Sequence, residues 1–136
     1  MQRRAFLETL SAPVVAACAV CLGSCGSKST DTPSAPVNFS IDLTTQLTSV
    51  GATLVNSGVI VLRTATGNTV GSFSAVQVAC THEGTSINWN AAQNRFICPN
   101  HGAQFSGSGS VLLGPATKNL KQFTVAITGN TLTVTG

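Results

Sequence analysis

Residues 80–105 read CTHEGTSINWNAAQNRFICPNHGAQF, and they hold two short strings that each combine one cysteine with one histidine. The first string is C-x-H at Cys80 and His82, and the second, after a gap of 15 residues, is C-x-x-H at Cys98 and His101. The chain has no other histidine, and the remaining three of its five cysteines precede residue 26. Two thiolates and two imidazoles form a four-ligand set that suits an iron–sulfur cluster or zinc. The sequence therefore predicts a metal centre built from two loops.

At these residues the chain resembles the Rieske [2Fe–2S] proteins, in which two cysteines hold one iron and two histidines hold the other. The resemblance extends through the string CPNHGAQF at 98–105 to Gly114-Pro115-Ala116, which is similar to the family's proline loop over the cluster. It runs from about Val37 to the C-terminus. The resemblance implies one [2Fe–2S] cluster per chain, with four ligands: Cys80, His82, Cys98 and His101.

Two other interpretations of the same four residues stay open. A Cys2His2 set can bind zinc as a structural site. Zinc fingers, however, usually pair cysteine with cysteine and histidine with histidine, whereas each loop here carries one of each. A disulfide between Cys80 and Cys98 is available to an exported protein, but it gives no role to the histidines or to the Gly-Pro-Ala string. The cluster accounts for more of these residues than either alternative.

The first 25 residues have the composition of a targeting segment. The string QRRAFL at 2–7 resembles a twin-arginine export signal. The apolar stretch 12–22 is shorter than the roughly 20 residues that span a bilayer, and it fits the apolar part of a signal peptide. Leu22-Gly23-Ser24-Cys25 resembles a lipoprotein box, which predicts lipidation of Cys25; ordinary cleavage near Ser24 is the alternative. We expect an exported protein on the periplasmic or cell-envelope side, anchored to the membrane by lipid.

The composition of the sequence divides the chain into three segments. Residues 1–25 are the predicted signal segment, and residues 26–36, GSKSTDTPSAP, are a linker of small and polar residues. Residues 37–136 are long enough for one small core and form the predicted Rieske-type domain, with its cluster loops at about 80–116. Twin-arginine export carries folded cargo, which suits a cluster assembled in the cytoplasm.

The domain is predicted to be all-β, with antiparallel sheets in a sandwich or barrel-like stack. The resemblance implies in addition an inserted cluster-binding subdomain. Content of β-branched residues and partial alternation predict strands, and Gly-Asn pairs predict hairpin turns. Trp89 and Phe96 are expected to pack beneath the cluster loops rather than to form an electron path. The predicted strands are 58–64, 70–79, 121–128 and 131–135, the turns are 66–69 and 128–131, and 43–50 holds at most one helical turn.

Two imidazoles in place of two thiolates make a cluster less negative, which raises its potential into a window of about −150 to +300 mV. Respiratory members of the resembled family carry a disulfide between the loops, yet Thr85 and Asn100 stand at those positions. They also carry a Ser and a Tyr whose hydroxyls donate to the sulfurs, where this chain has Ala103 and Phe105. Because such hydrogen bonds stabilise the reduced cluster, we expect a low-to-middle potential for a Rieske centre.

The charge balance gives little sign of a highly charged partner. The net charge is +3, and beyond residue 25 it is +2, from five Lys or Arg against three Asp or Glu. This is too weak to indicate nucleic acid. With few carboxylates and no histidine outside the two strings, no nucleophile–base pair is expected. The chain is therefore interpreted as an electron-transfer protein or oxidoreductase subunit rather than a stand-alone enzyme.

The leading hypothesis is a one-electron carrier outside the cytoplasm, which passes electrons between membrane or periplasmic redox partners. The alternatives are the Rieske subunit of a quinol-oxidising cytochrome bc-type complex and the small subunit of a periplasmic molybdenum oxidase. Oxygenase ferredoxins are similar in their loops, but they are cytoplasmic, which disagrees with the N-terminal segment. A zinc-binding module is the non-redox alternative.

Overall fold

The structure, a computed structural model, describes residues 36–136, so the predicted signal segment, Cys25 and nearly all of the linker lie outside the described residues. The described part contains ten β-strands and one short 3-10 turn at Val70–Ser72, with no α-helix. None of its helical segments is long and apolar enough to cross a membrane. The strands are β1 Asn38–Asp42, β2 Thr53–Asn56, β3 Val59–Arg63, β4 Phe73–Gln77, β5 Asn88–Asn90, β6 Arg95–Ile97, β7 Gln104–Phe105, β8 Val111–Leu113, β9 Thr124–Thr128 and β10 Thr131–Thr135.

These strands form three antiparallel sheets, ordered β1-β10-β9, β2-β3-β4 and β5-β6-β7-β8. The all-β prediction is therefore confirmed. In the first sheet, Thr131 pairs with Thr128, which leaves Gly129 and Asn130 as a two-residue hairpin turn. Gly129 has a φ of 58°, in the left-handed region that such turns require. The predicted turn at 128–131 is confirmed.

Strand β3 joins the two apolar cores of the domain. All five of its residues are buried, because the strand lies in the middle of its sheet with packing on both faces. Successive side chains of a strand point to opposite faces. Val59 and Val61 accordingly lie in a first core, and Ile60 and Leu62 lie in a second core. The second core also contains Cys80 and Cys98, so β3 connects the body of the domain to the predicted site.

The four-stranded sheet β5–β8 is one continuous insertion between β4 and β9. After the insertion the chain returns beside β4, where the Gln77 amide donates to Lys121 O over 2.8 Å and the Phe123 amide donates to Ala75 O over 2.9 Å. Both predicted loops lie next to this small sheet, one before β5 and the other between β6 and β7. An inserted subdomain therefore carries the loops.

One predicted strand and one predicted turn need correction. The predicted strand 70–79 begins with the 3-10 turn, and its strand extends only from Phe73 to Gln77. Residues 66–69 are not a tight hairpin turn, since the connection between β3 and β4 runs through 64–72. The cause is the buried Arg63, whose guanidinium donates to Gly67 O over 3.0 Å and to Asn68 Oδ1 over 3.2 Å. The chain wraps around this side chain instead of turning back at once.

The other boundaries agree more closely. Strand β9 begins at Thr124, three residues later than predicted, whereas β10 has the predicted bounds 131–135. The segment 43–50 contains a single helical turn, in which the Gln46 amide donates to Asp42 O over 2.9 Å. This agrees with the prediction of at most one helical turn in that segment.

Candidate metal centre

The two loops have the same backbone hydrogen-bond pattern. In each, the cysteine amide donates to the carbonyl five residues later, and the cysteine carbonyl accepts from the glycine amide four residues later. The distances are 2.8 and 2.8 Å in the loop of Cys80 and 2.8 and 3.0 Å in the loop of Cys98. Gly84 and Gly102 close the turns with φ of 78° and 74°, a region that side chains disfavour. The repeated C…G spacing thus folds into two equivalent loops.

Both cysteines lie on the protein side of the site. Cys80 and Cys98 are each 3% exposed and belong to the second core, and neither forms a disulfide. Burial raises the pKa of the Cys80 thiol, and the neighbouring thiol of Cys98 adds to this shift. The backbone amides of His82 and Glu83 donate to the Cys80 sulfur and oppose the shift in part. The two sulfurs therefore lie close together in an apolar setting, with amide donors directed at one of them.

Both histidines lie on the solvent side. The rings of His82 and His101 are exposed and meet edge to face, with centroids 5.1 Å apart and an interplanar angle of 76°. The Glu83 carboxylate lies beside these rings, with its Oε2 3.0 Å from His101 Nε2. Ligand atoms of these three side chains lie within 4.8 Å of one another. The contact with His101 lowers the pKa of the Glu83 carboxyl below its ordinary value.

The donor set fits a mixed-ligand [2Fe–2S] cluster. Two sulfur donors come from the apolar side, and two imidazoles come from the exposed side, so each loop supplies one soft and one borderline ligand. The structure places Cys80 beside Cys98 and His82 beside His101, each pair with one member on each loop. A Cys2His2 set can also bind zinc, but zinc fingers usually pair cysteine with cysteine, whereas one cysteine and one histidine in each loop is the pattern of the Rieske centre.

A third segment contacts the first loop. The Thr81 hydroxyl donates to Lys118 O over 2.7 Å, two residues after Ala116 of the Gly-Pro-Ala string. Ala116 is 3% exposed and lies in the second core with the two cysteines. The segment predicted to cover the cluster therefore borders the site.

The aromatic residues between the loops pack as expected. Phe96 is fully buried in the second core, and the Trp89 ring meets it edge to face with centroids 4.9 Å apart. Ala103 and Phe105, which follow the second histidine, are also fully buried. They line the apolar side of the site without a hydroxyl group.

Sequence reasoning missed two residues that join the loops. Asn100 Nδ2 donates to Glu83 Oε2 over 2.9 Å, on the same oxygen that contacts His101. The sequence shows Asn100 only as a position where respiratory members of the family carry a cysteine. One signal was present, because Glu83 directly follows His82 and is the single charged residue of 80–84 and 98–102.

Comparisons with known proteins agree with this geometry. A sequence model of the Rieske [2Fe–2S] domain family matches residues 35–124. The cytochrome b6-f complex iron-sulfur subunit of Chlorobaculum thiosulfatiphilum is 37% identical over 67 residues, which are 49% of this chain and 37% of that protein. The cytochrome b6-f complex iron-sulfur subunit 1 of Nostoc sp. is 49% identical over 45 residues, which are 33% of this chain and 25% of that protein. The matches therefore span well under half the length of these curated relatives.

Solved structures share the fold. The cyanobacterial plasma membrane Rieske protein PetC3 from Synechocystis PCC 6803 is 37% identical, with a TM-score of 0.53, over 62% of this chain and 85% of that one. The ferredoxin of carbazole 1,9a-dioxygenase from Nocardioides aromaticivorans IC177 is 21% identical, with a TM-score of 0.55, over 74% of this chain and 97% of that one. At that lower identity the likeness concerns the fold alone.

Proposed function

Because the chain belongs to the Rieske [2Fe–2S] family, we propose that it is a one-electron carrier whose cluster is held by Cys80, His82, Cys98 and His101. The bound cluster supplies reversible one-electron chemistry. The observation that supports these ligands is the pair of equivalent loops, with two buried thiols on one side and two exposed imidazoles on the other. No other histidine or cysteine lies within residues 36–136.

The two sides of the site have different tasks. The thiols of Cys80 and Cys98 lie in the second core, which keeps water away from their sulfurs. Burial raises the pKa of the Cys80 thiol, and metal binding by a thiol releases its proton. The imidazoles of His82 and His101 reach solvent. A redox partner therefore docks on the histidine side, because protein covers the thiol side.

The side chains around the sulfurs favour a low-to-middle potential. Hydroxyl donors to cluster or cysteine sulfurs raise the potential by stabilising the reduced state. The side chains of Ala103 and Phe105 cannot donate, and both are fully buried. The backbone amides of His82 and Glu83 supply hydrogen bonds to the Cys80 sulfur.

The proposal includes a location outside the cytoplasm, on the periplasmic or cell-envelope side. Its segments are the signal 1–25, the linker 26–36 and the Rieske domain 37–136, with lipid on Cys25 as the membrane anchor. The support is the sequence itself, through the twin-arginine-like string and the lipoprotein-like box. Lipidation of this kind attaches a folded domain to a membrane surface through a flexible tether.

Membrane fractionation tests this location. We expect the wild-type chain in the membrane fraction and Cys25→Ser in the soluble fraction of the envelope or retained as precursor. Cys21→Ser, a change of the same kind four residues earlier, is the matched control and stays in the membrane fraction. A double Arg3→Lys, Arg4→Lys variant is expected to remain in the cytoplasm. Equal distribution of the Cys25 and Cys21 variants would contradict lipidation at Cys25.

A second candidate is the Rieske subunit of a quinol-oxidising complex. It is favoured by the relatives from Chlorobaculum thiosulfatiphilum and Nostoc sp., which are named as subunits of the cytochrome b6-f complex. It is opposed by Ala103 and Phe105 and by Thr85 and Asn100, which stand where the respiratory type has its hydroxyls and its disulfide. The small subunit of a periplasmic molybdenum oxidase is a third assignment with the same chemistry.

A potentiometric titration of the purified protein separates these candidates. The carrier assignment predicts a midpoint in the lower or middle part of the window of about −150 to +300 mV. A midpoint near the upper end would move the assignment to the quinol-oxidising subunit. Reduction by a quinol analogue, with and without the membrane fraction, then tests that assignment directly.

A further inference from the structure

We propose that Glu83 and Asn100 form a hydrogen-bonded clasp that holds the two ligand loops together and orients His101. Asn100 Nδ2 donates to Glu83 Oε2 over 2.9 Å, and His101 Nε2 lies 3.0 Å from the same oxygen. Glu83 belongs to the first loop, and the other two residues belong to the second. Among the described residues, these are the polar side-chain contacts that run directly from one loop to the other. The inference rests on the proposed function, because the clasp acts on a site that binds a cluster.

No disulfide holds the two ligand loops together in the described structure. Cys80 and Cys98 are the cysteines of the described part, and both are free thiols within the second core. Thr85 and Asn100 stand where respiratory members of the family carry the two cysteines of the disulfide between the loops; we call these the staple positions. Asn100 occupies one staple position, and its side-chain amide makes a non-covalent link from there to the opposite loop. On the first loop the clasp ends at Glu83, two residues before Thr85, so it links the loops near the place where a disulfide would.

The clasp also fixes one ring nitrogen of His101. An ionised carboxylate only accepts hydrogen bonds, so the contact with Glu83 places the proton on His101 Nε2. Nδ1 has no hydrogen-bond partner among the described residues and is left for a metal. Histidine ligands commonly donate their other N–H to a carboxylate, which sets the tautomer and the orientation of the ring. His82 has no carboxylate partner in the described part, so a hydrogen bond from the protein sets the ring orientation of His101 but not that of His82.

The test compares three variants of the full-length, cluster-loaded protein. Glu83→Ala removes the whole clasp, and Asn100→Ala removes the cross-loop amide alone. Asn88→Ala is the matched control, because Asn88 is an exposed residue of β5 whose side chain makes no hydrogen bond in the described structure. Loss of the visible absorption in the presence of a chelator is followed over time. We expect Glu83→Ala to lose its cluster about 10-fold faster than wild type, since removing the partner of a ligating histidine typically costs about 10- to 100-fold in metal affinity, and Asn88→Ala to match wild type.

A charge-neutral variant separates the clasp from simple electrostatics. In Glu83→Gln the side-chain oxygen still accepts from Asn100, while the negative charge beside His101 is gone. We expect this variant to keep its cluster longer than Glu83→Ala and to show a higher midpoint potential than wild type, because a nearby anion disfavours reduction. A residue with only a structural role would change how long the protein retains its cluster without changing the midpoint potential.

A covalent rescue completes the experiment. The triple variant Glu83→Ala, Thr85→Cys, Asn100→Cys places cysteines at the two staple positions, and under oxidising conditions we expect it to regain much of the cluster lifetime that Glu83→Ala loses. If Glu83→Ala and Asn100→Ala both keep the cluster as long as Asn88→Ala does, the clasp is refuted while the proposed function stands.

A second readout needs no cluster. Amide exchange of Gly84 and Gly102, whose N–H groups close the loops on Cys80 O and Cys98 O, reports loop opening in the purified full-length chain. We expect faster exchange in Glu83→Ala and Asn100→Ala than in Asn88→Ala, and equal exchange would refute the clasp. If no form of the protein takes up a cluster, the proposed function fails, and this comparison still decides on the clasp.

Discussion

Thr81 donates its hydroxyl to the main-chain oxygen of Lys118 over 2.7 Å, and this bond ties the first ligand loop to the segment that follows Gly-Pro-Ala. The two residues are 37 positions apart, so the contact exists only in the folded domain. Glu83 of the same loop accepts a hydrogen bond from Asn100 over 2.9 Å, so the first loop contacts both the second loop and the third segment. The ligands therefore lie on loops that are restrained from two directions.

The bond between Thr81 and Lys118 can be tested without altering a ligand. Thr81→Val keeps the shape of the side chain and removes the donor, so we expect a loss of about 0.5–1.5 kcal/mol in the free energy of unfolding. Thr81→Ser keeps the hydroxyl and is the matched control. Urea unfolding of both variants measures the difference. If the valine variant is as stable as the serine variant, the hydrogen bond does not stabilise the domain.

The low-to-middle potential depends on two missing hydroxyls. We expect the double variant Ala103→Ser, Phe105→Tyr to have a higher midpoint potential than wild type, because each new hydroxyl can donate to a sulfur and stabilise the reduced cluster. Phe105→Leu, which adds no donor, is the control and is expected to leave the potential nearly unchanged. Potentiometric titration followed by EPR gives the midpoints. An unchanged midpoint in the double variant would refute this explanation of the potential.

The loop glycines are required for their backbone angles rather than for space. A Cβ at Gly84 or Gly102 would meet nothing within 4 Å, yet both residues have positive φ. We therefore expect Gly84→Ala and Gly102→Ala to lose about 1–2 kcal/mol each in the free energy of unfolding. Gly71→Ala is the control, since Gly71 also has open space but no positive φ. Thermal or urea unfolding should show the control near wild type; equal losses at all three positions would contradict the explanation.

Acid stability depends in part on Asp42, at the end of β1. Hydrogen bonds from the Thr44 hydroxyl, at 2.6 Å, and from its amide, at 2.8 Å, lower the pKa of the Asp42 carboxyl from its ordinary value of 3.8. A lowered pKa in the folded state means that the stabilisation is present above the ordinary pKa and is lost as the pH falls through the folded-state pKa. We expect Asp42→Asn to be less stable than wild type at pH 7.

The comparison at acid pH is the control for that prediction. The difference in urea midpoint between wild type and Asp42→Asn should shrink as the pH falls below about 4, where the unfolded-state carboxyl takes up a proton first, and should vanish once the pH passes the lowered pKa of the folded state. A difference that stays constant between neutral and acid pH would mean that the charge of Asp42 does not contribute.

The sequence predicted those parts of the fold that local patterns determine. Strands β3 and β10 are rich in β-branched residues, and the Gly129-Asn130 pair marks the hairpin turn between β9 and β10. The four candidate ligands could also be found, because each loop carries its cysteine, histidine and glycine within five residues. Such short-range patterns need no knowledge of the tertiary structure.

What the sequence did not predict depends on contacts between distant residues. Strands β5 to β8 have only two or three residues each, too few to show an alternation. The path of 64–72 follows from the hydrogen bonds of the buried Arg63, which also reach Leu47 O over 2.8 Å. Glu83 and Asn100 are 17 positions apart, and their contact could not be inferred before the two loops were seen together.

The most direct test of the ligand assignment is the EPR spectrum of the dithionite-reduced protein, for wild type and for the variants His82→Ala and His101→Ala. We expect a rhombic signal with the low average g of mixed histidine and cysteine ligation in wild type. We expect loss or a marked change of that signal in both histidine variants, with Asn88→Ala unchanged. A colourless, EPR-silent wild-type protein that holds zinc after anaerobic preparation would refute the four-ligand [2Fe–2S] assignment.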